Sequence, residues 1–263
     1  MRIICPVKRV PDTAAEKKVT SDLTVDRDAV ETVLNANDEW SIEEAMRIKE
    51  SRDDVEIIVL NMGPDNAQQT IRKALSYGLD GAIQVSDAAI AGSDAVATAR
   101  VLAAALNDTD WDLVIMGNQS SDARSMLVPA MLAEFLDVPA LTYAKRLAVS
   151  SDGSVEADRE TSMGHQTVTS TLPAIVSVVE AINEPRYPSF KGIMAAKKKP
   201  LDVKDIAALG LSADDVGHAG STTQVLEANP KPPKQAGSKV ADDGTGQVGA
   251  QALVDFLVAN KFL

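Results

Sequence analysis

The sequence predicts an α/β fold, in which a doubly wound, mostly parallel sheet carries antiparallel additions and an extended C-terminal arm. Over the first half of the chain, short aliphatic segments alternate with amphipathic helical segments, which is the pattern of βαβ units. Aromatic residues make up only 3% of the 263 residues, so aliphatic side chains must fill the core, as is typical of parallel sheets covered on both faces. After Pro139, polar and apolar residues alternate, which favours antiparallel ribbons.

The individual elements follow from hydrophobic spacing. Aliphatic runs predict strands at 2–7, 55–61, 82–85, 112–116 and 173–179, and alternation predicts strands at 141–149, 154–160 and 166–170. Helices are predicted from Asn37 or Asp38, either of which can cap, and at 66–77, 93–106 (capped by Ser93) and 126–136. The polar stretch 11–28 fits either a hairpin or an irregular excursion. Right-handed crossovers place any ligand at the carboxyl ends of the parallel strands.

The chain divides into three predicted parts, because its composition turns polar and rich in proline and lysine near residue 183. Residues 1–182 form the doubly wound core, 183–200 a loop with a short basic helix, and 201–263 an arm. Within the arm we expect a helix at 202–209, an extended segment at 221–228, a linker at 229–246 and an amphipathic helix at 249–262. Such an arm either folds back or wraps a partner chain.

Composition and charge exclude several classes of function. The net charge is −12, so the chain as a whole lacks the excess of positive charge that nucleic-acid binding needs. The sequence has no run of 18 apolar residues and no recognisable signal peptide, so we expect a soluble, cytoplasmic protein. The single cysteine, Cys5, excludes an internal disulfide and a cysteine-based metal site.

Sequence motifs point away from catalysis by the chain itself. The stretch 244–249, GTGQVG, matches the dinucleotide fingerprint in letters, but no strand precedes it and the chain ends too soon for the acidic ribose ligand. Neither His165 nor His218 accompanies a nucleophile and an acidic partner in a recognisable context, and spacing typical of metal ligands is absent. We therefore predict neither a catalytic constellation nor a metal site.

The connection that follows the fourth strand is the candidate ligand site. It runs GNQSSDARS from Gly117 to Ser125 and leads into a predicted helix. In a doubly wound sheet, glycine lets the backbone approach a nucleotide, and the N–H groups at the start of a helix hold phosphate. On the residues alone, a polar connection with a serine cap fits equally well.

Family resemblance centres on residues 183–199, NEPRYPSFKGIMAAKKK. This string resembles, nearly residue for residue, the segment that marks the beta subunit of electron-transfer flavoproteins, bacterial type. Similar strings are VKRVPDT and ANDEWSIEEAMRIKE near the start, GPDNAQQTIRKALSYGLDGAIQV in the middle and KPPKQAGSKV near the end. The resemblance extends over essentially the whole chain.

The resemblance implies an electron carrier rather than an enzyme. Members of this family are heterodimers in which the alpha subunit holds most of the FAD and the beta subunit packs against it. The beta subunit has a Rossmann-like fold, buries a structural AMP, and docks acyl-CoA dehydrogenases of fatty acid beta-oxidation through the segment quoted above. The electrons then pass to a membrane flavoprotein-quinone oxidoreductase. The arm would pack on the alpha subunit.

Candidate site residues are carried over from the family by position. The AMP contacts fall on Pro6, Asn35, Ala36, Asn37, Asp38, Met62, Gly117, Asn118, Gln119, Ser120, Ser121, Asp122, Ala123, Arg124, Ser125, Met126, Leu127 and Val128, and the docking contacts on Ile182, Asn183, Glu184, Pro185, Arg186 and Tyr187. Ile182 is the expected exposed anchor. Because Met126, Leu127 and Val128 replace polar residues of many members, backbone N–H groups, Ser125 and Arg124 would hold the phosphate.

Two other functions stay open from the sequence. One is a stand-alone α/β nucleotide-binding regulator or hydrolase, since a fold does not fix a function. The other is a bifurcating flavoprotein subunit with a second FAD in place of AMP. The predicted arm disfavours the first, because a monomeric enzyme has little use for it. The loop sequence D-A-R-S at 122–125 disfavours the second, since such relatives usually carry D-G-D-T there.

Overall fold

The computed structural model describes residues 1–16, 18–229, 232 and 236–263. Its strands are β1 (Arg2–Pro6), β2 (Arg9–Pro11), β3 (Thr32–Leu34), β4 (Glu56–Met62), β5 (Gly81–Val85), β6 (Leu113–Gly117), β7 (Ala140–Val149), β8 (Ser154–Thr161), β9 (Gly164–Thr171), β10 (Ala174–Val178) and β11 (Leu201–Lys204). Its α-helices are α1 (Ala36–Glu50), α2 (Gln68–Leu75), α3 (Ala95–Asn107), α4 (Val128–Leu136), α5 (Phe190–Ala196), α6 (Gly217–Gly220) and α7 (Gln247–Ala259).

The main sheet has the strand order β11-β5-β4-β1-β6-β10-β7-β8-β9. Pairing is parallel from β11 to β7 and antiparallel for β8 and β9, so the predicted fold class is confirmed. Strand β1 leads to β4 on one side, and the chain later crosses to β6 on its other side. This reversal makes the gap between the carboxyl ends of β1 and β6 the topological switch point, where ligands bind in sheets of this kind.

Helices cover both faces of the parallel strands. Along β1, Ile3 and Cys5 face one apolar cluster while Ile4 faces the other, as the two-residue period of a strand requires. Both faces are buried, which explains the continuous aliphatic runs of these strands. Burial also raises the pKa of the Cys5 thiol far above its ordinary value, so this thiol is inert core packing.

Two predicted helix caps are wrong. Helix α1 begins at Ala36, with Asn35 at the N-cap, so neither Asn37 nor Asp38 caps it; both side chains are buried instead. Helix α3 begins after Asp94, whose Oδ1 accepts a hydrogen bond of 2.9 Å from the Ala97 N–H, and Ser93 lies outside the helix. Several neighbouring residues in each stretch can cap, and tertiary contacts decide which one does.

The helix predicted at 202–209 is also wrong. Strand β11 extends the sheet there by pairing with β5, and a 3-10 helix follows at Ala207–Leu209. The short sequence of β11 shows little alternation of polar and apolar residues. Its structure is therefore decided by pairing with β5 and not by the local sequence pattern. The first compact unit of the structure spans Met1–Leu226 and the second spans Glu227–Leu263.

The second unit contains the predicted amphipathic helix as α7. The segment 221–228, which was predicted to be extended, forms neither a strand nor a helix. Part of the predicted linker (230, 231 and 233–235) lies outside the described residues. Within this unit the Asp242 carboxylate accepts hydrogen bonds from the N–H groups of Gly244, Gly246 and Gly249 at the start of α7. Large apolar side chains of α7 are exposed, including Leu253 and Phe256. Among the described residues, no helix is long and apolar enough to cross a membrane.

Candidate functional site

The candidate site lies at the switch point. There Gly117 of β6 lies against Asn37 and Asp38 at the start of α1, and Lys8, just beyond β1, donates its backbone N–H to Asp38. The register aligns Pro6 of β1 with Leu60 of β4, two residues before Met62. Of the four parts of the chain to which AMP contacts were assigned, the structure joins the start of α1 directly to the loop after β6.

Gly117 is required by this close approach. A Cβ atom at position 117 would lie 2.7 Å from the Cβ of Asn37 and 2.8 Å from both the carbonyl carbon of Asn37 and Oδ1 of Asp38. Real Cβ contacts are not this short, so a side chain here would push α1 away from β6. Glycine at 117 thus sets the width of the site.

Asn35 joins the start of α1 to the loop after β6. Its Nδ2 donates to Oδ1 of Asp38 at 2.8 Å and to the carbonyl oxygen of Gln119 at 3.0 Å. Its Oδ1 accepts from the N–H of Ser121 at 3.1 Å. Because this amide is almost fully buried, these bonds are hard to replace by water, and they fix the loop against the helix.

Asp38 is a buried carboxyl group with an unusual pKa. Burial raises its pKa to about 7, although hydrogen bonds from the Lys8 N–H (2.7 Å) and from Asn35 oppose the shift. The folded protein keeps this proton to about pH 7, whereas an unfolded aspartate releases it near its ordinary value of about 3.9. The stabilisation from Asp38 is therefore complete below pH ~4 and declines as the pH rises to about 7.

Asp122 is the charged centre of the loop. Its side chain is only 1% exposed, yet it pairs with Lys8 Nζ at 2.9 Å and with the Arg27 guanidinium. Burial alone would raise its pKa, but the positive charges of Lys8 and Arg27 and a hydrogen bond from Ser120 hold the pKa of Asp122 well below its usual value. The carboxylate therefore stays ionised and ties the loop to β1 and to the 12–31 connection.

Sequence reasoning missed Lys8 and Arg27. Lys8 directly follows the first strand, so its place at the carboxyl edge of the sheet was a usable signal. Arg27 lies in the long polar connection, where nothing in the pattern distinguishes it from its charged neighbours.

The second half of the loop differs from its prediction. Helix α4 begins at Val128, not at 126, because Arg124 and Met126 have left-handed backbone angles (φ 51° and 59°) that helices do not contain. Ser125 is therefore not at the helix N-terminus, and no side chain caps α4. Met126 and Leu127 are exposed. Because Pro129 has no N–H group, the uncapped donors suited to a phosphate at this helix end are the N–H groups of Val128 and Ala130.

Gln119 provides the test of whether a nucleotide fits. The amide oxygen Oε1 of Gln119 is buried, and no group among the described residues donates a hydrogen bond to it. A buried acceptor left in this way costs about 1–3 kcal/mol. Adenine nucleotides carry amino and hydroxyl donors, so a nucleotide in this cleft would complete the site, and the residues present fit such a group.

The docking segment, which we define as residues 183–199, is fixed to α1. Asn183 Nδ2 donates to the Trp40 carbonyl oxygen and to Glu44 Oε2, each at 3.0 Å. The Arg186 guanidinium donates to both oxygens of Glu43, at 2.7 and 3.0 Å, and also pairs with Glu50. Burial would raise the pKa of Glu43, but the bonds from Arg186 hold it below its usual value.

Ile182, the expected exposed anchor, is buried. It is 9% exposed and belongs to the core cluster on the α1 face of the sheet, at the end of a 3-10 helix that follows β10. The exposed apolar side chains of the docking segment are Tyr187, at 96%, and Phe190, at 80%, with Ile193 and Met194 about half exposed. The aliphatic run of β10 continues into Ile182, which explains its burial.

Helix α5 presents these side chains on a firm base. Ser189 caps it by accepting from the Gly192 N–H at 3.0 Å, and Arg72 of α2 donates to the carbonyl oxygens of Ala196 and Lys199. A Cβ atom at Gly192 would lie 2.3 Å from the Ser76 carbonyl oxygen, so α5 packs directly on α2. The helix ends at Ala196, and the three lysines at 197–199 follow it rather than forming a basic helix.

Known proteins resemble this chain over nearly its whole length. The electron transfer flavoprotein domain matches residues 22–209. The electron transfer flavoprotein subunit beta of Mycobacterium tuberculosis (strain CDC 1551 / Oshkosh) is 45% identical, covering 99% of each chain, and that of Megasphaera elsdenii is 33% identical, covering 100% of each. Subunit CarD of the caffeyl-CoA reductase-Etf complex of Acetobacterium woodii is 32% identical, covering 94% of this chain and 95% of the relative.

The α/β fold with its mostly parallel sheet agrees with these similarities. The domain match spans well over half of the chain, and two beta subunits from different genera align from end to end. The chain belongs to the beta subunits of the electron transfer flavoproteins.

Proposed function

We propose that this chain pairs with an alpha subunit, holds AMP at the switch point, and docks acyl-CoA dehydrogenases through residues 183–199. The family function is electron transfer, so the chain is an electron carrier and not an enzyme. In the proposed complex, FAD held mainly by the alpha subunit would supply the redox chemistry between the dehydrogenases and a membrane flavoprotein-quinone oxidoreductase. The observation that carries the proposal is the buried amide oxygen of Gln119 at the carboxyl edge of the sheet, which accepts no hydrogen bond from the described residues.

The role of the cleft residues is to hold a nucleotide without reacting with it. Gly117 lets α1 pack closely on β6, Asn35 fixes the loop, and Asp122 is neutralised by Lys8 and Arg27 so that a phosphate does not meet a free carboxylate. Gln119 would accept a donor from the nucleotide. The uncapped N–H groups of α4 and the exposed Arg124 would approach its phosphate.

The role of the docking segment is to present apolar side chains on a rigid base. Tyr187 and Phe190 are exposed aromatic side chains, a type that is enriched at interface hot spots. The bonds from Asn183 and Arg186 to α1, and those from Arg72 to the end of α5, order the segment before a partner arrives. Less entropy is then lost on docking. We therefore assign the anchoring role to Phe190 and Tyr187, and a structural role to Ile182.

The first prediction concerns the nucleotide. Replacement Asp122→Ala removes both ion pairs that tie the loop to Lys8 and Arg27, so the loop that carries Gln119 is no longer held in position. We expect the variant complex to keep its FAD but to bind AMP at least about tenfold more weakly, which corresponds to ~1.4 kcal/mol. Nucleotide extraction and titration with AMP measure the change.

The matched control is Asp53→Ala, an exposed aspartate in the turn after α1, which should leave AMP affinity unchanged. Equal AMP affinity of the Asp122→Ala variant and the parent would contradict the proposed site. Recovery of a second FAD in place of AMP from the parent would replace the structural-AMP assignment by the bifurcating alternative.

The second prediction concerns the arm. The exposed apolar side chains of α7 need a partner, and we propose that the alpha subunit supplies it. Truncation after Gly237 removes α7 and should leave a folded chain that no longer co-purifies with the alpha subunit. Gel filtration measures the loss, and Gln251→Ala, which changes a polar residue of α7, is the control. An unchanged heterodimer after truncation would contradict this role of the arm.

A further inference from the structure

The nucleotide loop, residues 117–128, and the chain that leads to the docking segment start at adjacent strand ends. The loop starts where β6 ends at Gly117, and the chain leads to the docking segment from the end of β10 at Val178. These two residues are partners in the parallel register, and the Asn118 N–H donates to the Val178 carbonyl oxygen at 3.1 Å. Two segments proposed for different ligands therefore leave neighbouring strands at the same edge of the sheet.

Helix α1 holds both segments. Asn35 and Asp38, at its N-terminus, belong to the nucleotide cleft. The Trp40 carbonyl oxygen, which accepts from Asn183, lies only two residues beyond Asp38, or about 3 Å along the helix axis at ~1.5 Å per residue. Glu43, which pairs with Arg186, follows on the next turn. A shift of the start of α1 would therefore also move Trp40 and Glu43, to which the docking segment is bonded.

Each segment also has one incomplete hydrogen-bonding group. Oε1 of Gln119 in the loop and Oδ1 of Asn183 in the docking segment are buried, and neither has a hydrogen-bond partner among the described residues. Buried polar groups in folded proteins are nearly always satisfied. The proposed nucleotide would donate to Gln119, and Asn183, which α1 holds through Trp40 and Glu44, keeps an unmade bond in the docking segment.

We propose that α1 couples the two sites, so that AMP bound in the cleft tightens the docking segment and raises its affinity for the partner. Coupling of this kind is reciprocal, and partner docking would in turn strengthen AMP binding by the same factor. The clamp of Glu43 and Glu50 on Arg186 carries the effect. This inference rests on the proposed nucleotide site and assigns AMP the role of a positive effector.

The test is hydrogen–deuterium exchange on the co-purified complex, stripped of AMP and then reloaded with it. In the parent, AMP should raise the protection of backbone amides in 183–196 at least about fivefold, the lower end of usual coupling factors. In Arg186→Met, AMP should still bind, but the protection of 183–196 should not respond. The control Arg146→Met removes a guanidinium that pairs with Glu156 and Asp158 on the β7–β8 hairpin, and it should behave as the parent.

AMP binding is measured by titration on the same samples, which separates the possible failures. If AMP binds to the parent and 183–196 show no added protection, the coupling is wrong while the nucleotide site stands. An equal response of the parent and Arg186→Met would overturn the role of the clamp. Absence of AMP binding to the stripped complex would overturn the nucleotide site and, with it, this inference.

Discussion

We expect the Ile182→Ala variant to have a free energy of unfolding about 2–5 kcal/mol below that of the parent chain, the usual cost of emptying a buried isoleucine site. Ile182 is 9% exposed and lies in the same core cluster as Val178 and Ala196. Truncation to alanine leaves a cavity between β10 and the docking segment. The rate of electron transfer from the dehydrogenase, measured below the melting temperature, should change little.

Chemical denaturation of the isolated chain measures this loss, with Leu226→Ala, at an 84% exposed leucine, as a control that should not change stability. A variant of Ile182 that melts like the parent but no longer accepts electrons would contradict the structural role and restore Ile182 as the docking anchor.

The Phe190→Ala variant should show the opposite result. Phe190 is 80% exposed, so its removal leaves no cavity and stability should stay unchanged. If the ring enters a pocket on the dehydrogenase, its loss should cost at least ~2 kcal/mol of docking energy, or about thirtyfold in affinity. The readout is the reduction of the flavin complex by an acyl-CoA dehydrogenase of the source organism at varied concentration.

Met163→Ala serves as the control for Phe190→Ala, because Met163 is 92% exposed in the turn between β8 and β9 and lies outside the docking segment. Normal reduction kinetics in the Phe190 variant would exclude that residue as an anchor. The three lysines at 197–199 are expected to act differently, by speeding association in a salt-dependent manner.

Much of the fold could be predicted because its signals are local. The aliphatic runs around Ile3, Ile57 and Val114 are buried on both faces, and such runs identify parallel strands directly. Edge strand β11 could not be predicted, since its polar sequence becomes a strand only by pairing with β5. The caps Asn35 and Asp94 were missed for a related reason, as neighbouring residues with the same capping chemistry stand beside each of them.

The candidate site was only partly predictable. Position in the chain made the stretch from Gly117 to Ser125 a candidate, and the family resemblance assigned AMP contacts to Gly117 and Asp122. The partners of Asp122 come from distant parts of the chain, and the sequence carries no signal for the contact with Arg27. The exposure of apolar side chains was the hardest property to predict, since both Ile182 and Phe190 are apolar residues near turns. Only the packing of the 3-10 helix Glu180–Ile182 and of α5 shows that Ile182 is buried and Phe190 exposed.

Native mass spectrometry of the complex co-purified with this chain tests the central claim most directly. The account predicts one assembly that contains one copy of this chain, one alpha subunit, one FAD and one AMP. It also predicts that the AMP, but not the FAD, is lost from the Asp122→Ala complex. A chain that purifies alone, or a complex with two FAD molecules and no AMP, would contradict the account.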